Sequence, residues 1–517
     1  MRTGMSPTSL RTNRPADLLS VAAAAAVTAA IPGYGLAQQI QAAPLPNIAP
    51  LTGISPVTAD TSGIIRDKLA AQQLGKAFFW DIAAGSDGMA CASCHFHGGA
   101  DIRIKNQVNP GLAQVFPGPD KSFSNRRSGT PTGPNVELNA SDFPFHQLAN
   151  PLDRQSAVVY DTNDVFSSAG TFSGPMVSSP TLSNSLKGST QINRLLGLQA
   201  ASSECQFSYD PVNNPFHTGN YTYRKVEPRQ SPSTINAVFN FRNFWDGRAN
   251  NVFNGVDPFG RRTNLASAKA GVLVSNGATL SLQKVALENA SLASQAVGPP
   301  LSSFEMSCEG RTFADLGRKL LPARPLAYQA VDSQDSLFSR TPSLIPSNLK
   351  GLSATYLSQI QKAFDPKYWS SSAKWTISDA GIIATDPVNG FTQAELNFAF
   401  FWGLAIQEYE ALLISDRSPF DLGTLSADAK AGQEIFTGKG RCVACHNGPL
   451  FSNATRTAPN SFTPVERMLM GDGLAAVYDT GFYNIGVRPT NEDVGAGGKD
   501  PYGNPLSFSR QYLLQLQ

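Results

Sequence analysis

The chain carries one five-residue pattern, Cys-x-x-Cys-His, at two places that lie far apart. The copies are Cys91-Ala-Ser-Cys94-His95 and Cys442-Val-Ala-Cys445-His446. The sequence has only six Cys and five His among its 517 residues, so one chance match is expected on the order of once in a thousand such chains. Two thiols one helical turn apart can form thioethers with the two vinyl groups of a haem, and the adjacent imidazole can bind its iron. The sequence therefore predicts two covalently bound c-type haems, with His95 and His446 as iron ligands.

A redox-active Cys-x-x-Cys pair and half of a zinc site are the alternative interpretations of these cysteines. Neither chemistry needs a His directly after the second Cys, yet both copies have one. The repeated His therefore favours haem attachment.

The amino terminus has the layout of a secretory signal. Three arginines precede an apolar run over residues 18–31, and small residues follow up to Ala37. We predict a signal peptide over residues 1–37, export to the periplasm and no membrane span after cleavage. The apolar run is shorter than the roughly 20 residues that cross a bilayer. Export also permits Cys205 and Cys308 to pair as a disulfide, a pairing that the sequence leaves open.

Basic and acidic residues nearly balance, with 41 Lys and Arg against 39 Asp and Glu. Such a balance gives no cationic surface of the kind that binds nucleic acid. Charged residues make up only 15% of the chain, whereas Gly (44) and Pro (36) are abundant. This composition favours long ordered loops around buried cofactors.

Three stretches have helical signals. An apolar helix ends over Leu74–Trp80, just before a glycine-bearing turn and the first haem motif. A second helix begins at Thr392 with a capping box to Glu395, is apolar on nearly every face and should end near Ser418. A third helix, capped by Ser426, leads to the second motif.

No sustained alternating apolar pattern is present, so we expect a mainly α fold. We predict two cytochrome c-like haem domains with long loops. The first covers residues 38–385 and includes a loop-rich insertion at about 98–225. The second covers residues 386–517 and looks incomplete at its carboxyl end.

Three further stretches resemble the bacterial di-haem cytochrome c peroxidases and their MauG-like relatives. They are Leu74-Gly-Lys-Ala-Phe-Phe, the block from Ser231 to Ala249 that ends in Phe-Trp-Asp-Gly-Arg-Ala, and Gly440-Arg-Cys-Val-Ala-Cys-His-Asn-Gly-Pro-Leu-Phe-Ser. The resemblance implies that the haem at the first motif meets hydrogen peroxide and that the second haem takes electrons from a small cytochrome c or cupredoxin.

The same resemblance implies a catalytic carboxyl group beside the first haem. The matching stretch is Gln295-Ala-Val-Gly-Pro-Pro-Leu-Ser-Ser-Phe-Glu-Met, which gives the catalytic role to Glu305 and a second polar role to Gln295. A carboxyl group placed there can move a proton from one peroxide oxygen to the other, so that water leaves. Without the flanking match, Glu305 would be interpreted as a solvated surface residue.

Two more roles follow from the resemblance. Trp245 matches the Trp that lies between the haems and helps charge pass, although a Trp is also commonly a core aromatic. Family members hold a calcium ion between the domains. Its side-chain ligand matches Gln230, where the family usually has Asn.

The chain departs from the family in two respects. It has no His soon after the first motif, where many relatives have one that blocks the peroxide site until reduction; His97 is too close to His95, and His146 and His217 are the remaining alternatives. The far-side ligand of the second haem is also not found at the family's position. Met468, Met470, Tyr478 and Tyr483 are alternatives, and none is assigned.

Three functions remain open at this stage. The chain is a periplasmic peroxidase that reduces hydrogen peroxide to water, or a MauG-like or rubber-oxygenase-like oxidant of a protein or organic substrate, or a non-catalytic electron carrier.

Overall fold

The architecture is mainly helical around the first motif, with short antiparallel strands at the periphery. A computed structural model describes residues 46–99, 107–109, 140, 143–144, 146–153, 155–161, 165–172, 174, 176, 216–218, 221–458, 461–469, 474–483 and 495–514. The predicted signal peptide and Cys205 lie outside the described residues. Pro46–Gln517 form one compact unit, and the predicted division into two haem domains near residue 385 stays a prediction.

The described residues contain ten α-helices. They are α1 (Lys68–Trp80), α2 (Cys91–Cys94), α3 (Arg261–Ala266), α4 (Ser291–Ala296), α5 (Phe313–Leu320), α6 (Tyr356–Ala363), α7 (Gln393–Leu396), α8 (Phe398–Glu410), α9 (Ala427–Thr437) and α10 (Phe508–Leu513). Short 3₁₀ turns connect several of them, including Ser86–Gly88 and Cys442–Ala444, which precede or contain a haem motif.

The strands are short and pair only with antiparallel neighbours. They are β1 (Gln107–Asn109), β2 (His146–Leu148), β3 (Val158–Asp161), β4 (Val165–Ser167), β5 (His217–Thr218), β6 (Tyr221–Thr222), β7 (Val272–Ser275), β8 (Leu280–Gln283), β9 (Lys374–Ile377), β10 (Ile383–Thr385), β11 (Phe391–Thr392), β12 (Val465–Leu469) and β13 (Ala475–Asp479). The sheets are β1-β4, β2-β3, β5-β6, β7-β8, β12-β13 and the three-stranded β10-β9-β11. The expectation of a mainly α fold is confirmed for the described residues.

The core forms where α8 crosses α1. Every residue of α8 is buried, in agreement with the apolar pattern on all its faces. The ring of Phe78 lies 4.5 Å from that of Trp402, 4.9 Å from that of Tyr356 and 5.5 Å from that of Phe398. Gly75 allows the close crossing, since a Cβ there would overlap the backbone carbonyl of Ala405. The helix expected to build the second domain thus packs directly on the helix that precedes the first motif.

The long helix begins as expected but is interrupted and ends early. The Thr392 hydroxyl accepts the Glu395 N–H, and the Glu395 carboxylate accepts the Thr392 N–H, so the capping box is confirmed. Asn397 then separates α7 from α8, because its side chain bonds the backbone of Leu273. The expected end near Ser418 is wrong, and α8 stops at Glu410.

Contacts with a distant loop explain the early end of α8. The Asn236 N–H donates to the Leu413 carbonyl at 2.9 Å, and the Asn236 side chain accepts from the Ser415 N–H at 2.8 Å. Both bonds hold residues 413–415 outside a helix.

The helix before the second motif, α9, is exposed, whereas α8 is buried. Ser426 caps α9 as predicted, and Gly438 ends it. None of the residues of α9 is buried. Among the described residues, no helix is both long and apolar enough to cross a membrane.

Candidate functional site

The first motif forms a single helical turn that presents two thiols and an imidazole together. The Ala90 N–H donates to the Ser93 hydroxyl at 3.0 Å at the start of α2, and the His95 N–H donates to the Cys91 carbonyl at 3.0 Å at its end. The turn places Cys91 and Cys94 one above the other. The His95 ring lies 6.2 Å from that of Phe79 on α1.

A small cavity of about 70 Å³ opens in front of this turn. Cys91, Cys94 and His95 line it together with apolar side chains that include Phe79, Met89 and Ile406. Four long polar side chains share the lining, namely Glu227, Gln295, Glu305 and Glu410. Glu305 and Gln295, two of the residues that the family resemblance selected, therefore lie on the same cavity as the first motif.

Glu305 sits on a turn held by the part of the insertion that the structure describes. Its N–H donates to the Ser302 carbonyl at 3.2 Å. The Thr171 hydroxyl lies 2.9 Å from the carbonyl oxygens of both Ser303 and Ser307. Gly170 packs so closely that a Cβ there would overlap the Phe304 carbonyl oxygen. The insertion thus positions the turn that carries Glu305.

Burial raises the pKa of the Glu305 carboxyl group. The Arg248 guanidinium, a hydrogen bond from Ser302 and the Arg229 guanidinium oppose this rise. Protein atoms pack around the Glu305 carboxyl group on most sides. One side of it faces the cavity, so the residue is only partly buried. A carboxyl group with a raised pKa and access to a cavity can both accept and donate a proton near neutral pH. Its catalytic role stays a prediction.

Glu227 is a second carboxyl group on this cavity, and the sequence analysis missed it. Burial raises its pKa well above the ordinary value, and the negative charge of Glu305 raises it further. Arg229 and Arg248 lower it. Glu227 lies in an irregular segment outside every matched motif, so the sequence alone gave no signal for it.

Glu410, the last residue of α8, is a third carboxyl group that the sequence analysis did not select. Burial alone raises its pKa to about 8. Burial is also the main cause that raises the pKa of the Cys91 thiol, followed by the charge of Glu410. The thiol therefore stays protonated at neutral pH in this surrounding.

Trp245 lies outside the lining of the cavity and is 59% exposed. Its interpretation as a core aromatic is therefore wrong, and its role as an electron relay stays a prediction. The Trp245 indole N–H donates to the Gln230 carbonyl at 2.6 Å.

Within the described part of the chain, no group of three or more His, Cys, Asp or Glu side chains could hold a metal ion. The calcium ion predicted at Gln230 also stays a prediction.

The histidines proposed to block the first haem have separate surroundings. The His97 ring accepts the Gly99 N–H at 3.0 Å. His146 lies on β2 and is exposed. His217 lies on β5, and its side chain is outside the described set. Of the histidine side chains that the structure describes, only His95 lines the cavity.

The second motif lies on a more open surface. Cys442 is exposed and Cys445 is partly buried, and both belong to the turn that follows Gly440. The His446 Nδ1 atom lies 3.2 Å from the Phe451 carbonyl oxygen. A hydrogen bond of this kind fixes the tautomer and leaves Nε2 free to bind a metal.

The alternatives for the far-side ligand of the second haem lie on or near the β12-β13 hairpin. Met468 pairs with Ala476 across it, and Met470 lies outside the described residues. The Tyr483 hydroxyl bonds the Glu466 carboxylate and accepts from the Asn453 amide at 2.7 Å. No ligand is assigned among Met468, Met470, Tyr478 and Tyr483.

Cys308 is buried and disulfide-bonded. Whether its partner is Cys205, as the sequence left open, is not tested, since Cys205 lies outside the residues that the structure describes.

Comparisons with known proteins select one family. Residues 204–429 match the family model described as di-haem cytochrome c peroxidase. This range contains Trp245, Gln295 and Glu305, but both Cys-x-x-Cys-His motifs lie outside it. The resemblance inferred from the motifs is thus confirmed for this part of the chain.

Three curated relatives have related names. The chain is 42% identical over 69 residues to cytochrome-c peroxidase IdrP2 of Denitromonas iodatirespirans, covering 12% of this chain and 18% of the relative. It is 44% identical over 57 residues to IdrP1 of the same organism, covering 10% and 15%. It is 27% identical over 227 residues to cytochrome c551 peroxidase of Pseudomonas aeruginosa, covering 43% and 37%. The chain thus spans less than half the length of each relative, and no solved structure matches it.

Proposed function

We propose that this chain, which is similar to the di-haem cytochrome c peroxidases over residues 204–429, is a periplasmic peroxidase. It reduces hydrogen peroxide to water with electrons from a small redox protein. The observation that carries the proposal is the shared cavity of the first motif and Glu305. A cofactor-attachment motif and an acid-base group on one cavity are the minimum that this reaction requires.

Both motifs fit a haem. At the first motif, two thiols and an imidazole share a cavity with apolar side chains, as a largely apolar macrocycle requires. At the second, the contact of His446 Nδ1 with the Phe451 carbonyl leaves Nε2 free to bind the iron. The haems, once bound, supply the redox chemistry. His95 and His446 would hold them, with Cys91, Cys94, Cys442 and Cys445 as thioether partners.

The residues of the chain perform the proton chemistry. Glu305 would take a proton from one oxygen of the peroxide and return it to the other, so that water leaves. The Gln295 side chain, which shares the cavity lining, orients the peroxide by hydrogen bonding. The apolar lining limits the number of competing waters.

We expect the oxidised protein to react with peroxide without prior reduction. Among the described histidine side chains none but His95 lines the cavity, so none of the others in that set has to leave before peroxide binds. The test is rapid mixing of the fully oxidised and the half-reduced protein with peroxide. Similar rates would support the expectation. A resting spectrum with two imidazoles at the first iron, relieved by one electron or by His146→Ala or His217→Ala, would contradict it.

One observation favours a second candidate, a MauG-like or rubber-oxygenase-like oxidant of a protein or organic substrate. The insertion contacts the turn of Glu305 through Gly170 and Thr171, so it is placed to influence what reaches the cavity. Peroxide consumption without oxidation of any small electron donor, together with oxidation of an added organic substrate, would favour this candidate.

A further inference from the structure

A second cavity, a groove of about 660 Å³, lies beside the first motif. Its volume falls in the range of small-molecule sites. The groove is distinct from the cavity of the first motif, because Cys91, Cys94 and His95 line that cavity and not the groove. Its lining is largely apolar and includes the side chains of Phe79, Trp80, Phe96, Ile235, Tyr409 and Leu412.

Backbone hydrogen bonds hold the segments that line the groove in place. The Thr234 N–H donates to the Gly98 carbonyl at 2.7 Å, and the Asn236 N–H donates to the Leu413 carbonyl at 2.9 Å. The Asn236 side chain also accepts the Ser415 N–H at 2.8 Å. These bonds tie three lining segments to one another, so the groove exists before any ligand enters it. A preformed site loses little affinity to the ordering of its own walls.

The groove exposes apolar side chains and carries balanced charges. Phe96, Ile235 and Leu412 are exposed although they are large and apolar, and a cluster of this kind marks a binding site. The charged side chains in the lining, Asp416 and Arg417, have opposite signs. A redox protein that docks by charge needs a patch of one sign. The groove therefore suits a small uncharged aromatic molecule better than a charged protein.

One polar pair in the lining can bind a hydroxyl group. The Trp80 indole N–H donates to the Tyr409 hydroxyl at 3.0 Å, and both residues line the groove. The Tyr409 hydroxyl keeps its own hydrogen and a second lone pair. It can therefore form a hydrogen bond with the hydroxyl group of a bound phenol.

Phe79 connects the groove with the first motif. Its side chain lines both the groove and the cavity of that motif. The Phe79 ring lies 6.2 Å from the His95 ring and 5.5 Å from the Tyr409 ring. A molecule that packs on Phe79 in the groove is thus one aromatic ring away from the imidazole that would hold the first haem.

We propose that this groove binds a small uncharged phenol and that the phenol is a reducing substrate of the protein. This inference rests on the proposed peroxidase function. Each of two phenols gives up one electron and one proton, and one hydrogen peroxide takes up both electrons and both protons to become two waters. The products are two phenoxyl radicals. The electrons cross Phe79 toward the first motif, and the phenol protons leave to solvent, which supplies those that the peroxide takes up.

The first test measures binding of para-cresol to the oxidised, haem-loaded protein by calorimetry, without peroxide. Leu412→Trp fills part of the groove and should weaken binding by at least about tenfold. Leu422→Trp is the matched control and should bind as the parent does, since Leu422 is similarly exposed (50% against 47% for Leu412) but lies outside the lining. The proposal is overturned if the parent does not bind para-cresol, as it would not if a haem filled the groove, or if Leu412→Trp binds it unchanged.

The second test examines the hydrogen bond to Tyr409. The ligand 4-methylanisole has the same apolar body as para-cresol but no hydroxyl hydrogen. The parent should bind para-cresol several-fold more tightly, on the scale of one hydrogen bond, and Tyr409→Phe should bind the two ligands alike. A structural disturbance would weaken both ligands equally and leave the preference. A preference retained in Tyr409→Phe would contradict the assignment of Tyr409.

The third test separates this inference from the proposed function. With peroxide, Leu412→Trp should lower kcat/KM for para-cresol about tenfold and leave that for a reduced small cytochrome c unchanged. Turnover with the cytochrome but none with para-cresol would overturn the role as reducing substrate and leave the proposed function intact. A Leu412→Trp variant impaired only with the cytochrome would make the groove a protein-docking site and overturn the proposal. Inactivity with both donors would sink the proposed function, while the two binding tests would still decide what the groove binds.

Discussion

The two haem motifs have the same five-residue pattern but lie in opposite surroundings. The first follows α1 and faces a cavity beside the crossing of α1 and α8, where every residue of α8 is buried. The second follows α9, which has no buried residue, and Val443 is the only buried residue over 427–451. The chain thus packs an apolar core of its own beside the first site. At the second site the described residues 427–451 bury little apolar surface, so we expect the bound haem to supply apolar contacts there and the order of that region to depend on the cofactor.

The most severe test of this contrast removes the attachment cysteines of one site at a time. With Cys442 and Cys445 both changed to Ala, we expect α9 to lose its hydrogen-exchange protection almost completely. With Cys91 and Cys94 both changed to Ala, α1 and α8 should keep theirs, since they pack on each other. Each variant is the control for the other. Retained protection of α9 without its haem would break the comparison.

Glu305→Gln should slow the reaction with peroxide roughly a hundredfold or more, the usual scale for losing a positioned acid-base group. The amide is nearly isosteric but cannot take and return a proton. Rapid mixing with peroxide measures the rate, and haem content by intact mass should remain two per chain. Glu466→Gln, near the second motif, is the matched control and should react as the parent does. If Glu305→Gln reacts as fast as the parent, Glu305 is not the acid-base group.

The free energy of unfolding should depend on pH because of Glu410, which lies beside the first motif. Its pKa in the folded protein is about 8, whereas the unfolded chain releases this proton near the ordinary value for Glu. The folded state therefore binds more protons between these values, and the free energy of unfolding falls as pH rises toward 8. Glu410→Gln should remove this loss, on the order of a few kcal/mol. Denaturant unfolding at several pH values measures it, with Glu434→Gln on exposed α9 as control. An unchanged pH slope in Glu410→Gln would contradict the assignment.

Two glycine substitutions, one in α1 and one in α9, compare the packing of the two regions through small changes in stability. Gly75→Ala in α1 should lower the free energy of unfolding by roughly 1–3 kcal/mol or more, because the new methyl group would overlap the Ala405 carbonyl. Gly432→Ala in α9 meets no atom within 4 Å and should raise helix stability by up to about 1 kcal/mol. Thermal unfolding of both variants measures these changes in stability. Opposite signs are expected, and equal destabilisation would show that α9 is packed.

The sequence predicted those features that local chemistry determines. The capping box of Thr392 and Glu395, the Ser426 cap and the turn of the first motif depend on neighbouring residues, and the structure has all three. The place of Glu305 on the cavity was reached only through the flanking match, because a lone Glu in a loop has no periodic or spacing signal.

Features that depend on distant contacts were missed. Asn397 interrupts the long helix because β7 offers backbone partners to its side chain. Glu227 was overlooked because three of its four electrostatic partners, Asp246, Arg248 and Glu305, are 19, 21 and 78 positions away along the chain. The exposure of Trp245 was also unexpected, since a bulky indole in an apolar block usually packs in a core.

Peroxide-dependent oxidation of a reduced small c-type cytochrome by the purified, haem-loaded protein tests the central claim most directly. A reduced small-molecule electron donor serves as a second substrate, in case the chosen cytochrome does not dock. We predict that two donor molecules are oxidised for each peroxide consumed, and that replacing Cys91 and Cys94 by Ala abolishes the reaction. A protein with two haems per chain that oxidises neither donor, or that reacts equally well without the first attachment site, would contradict the account.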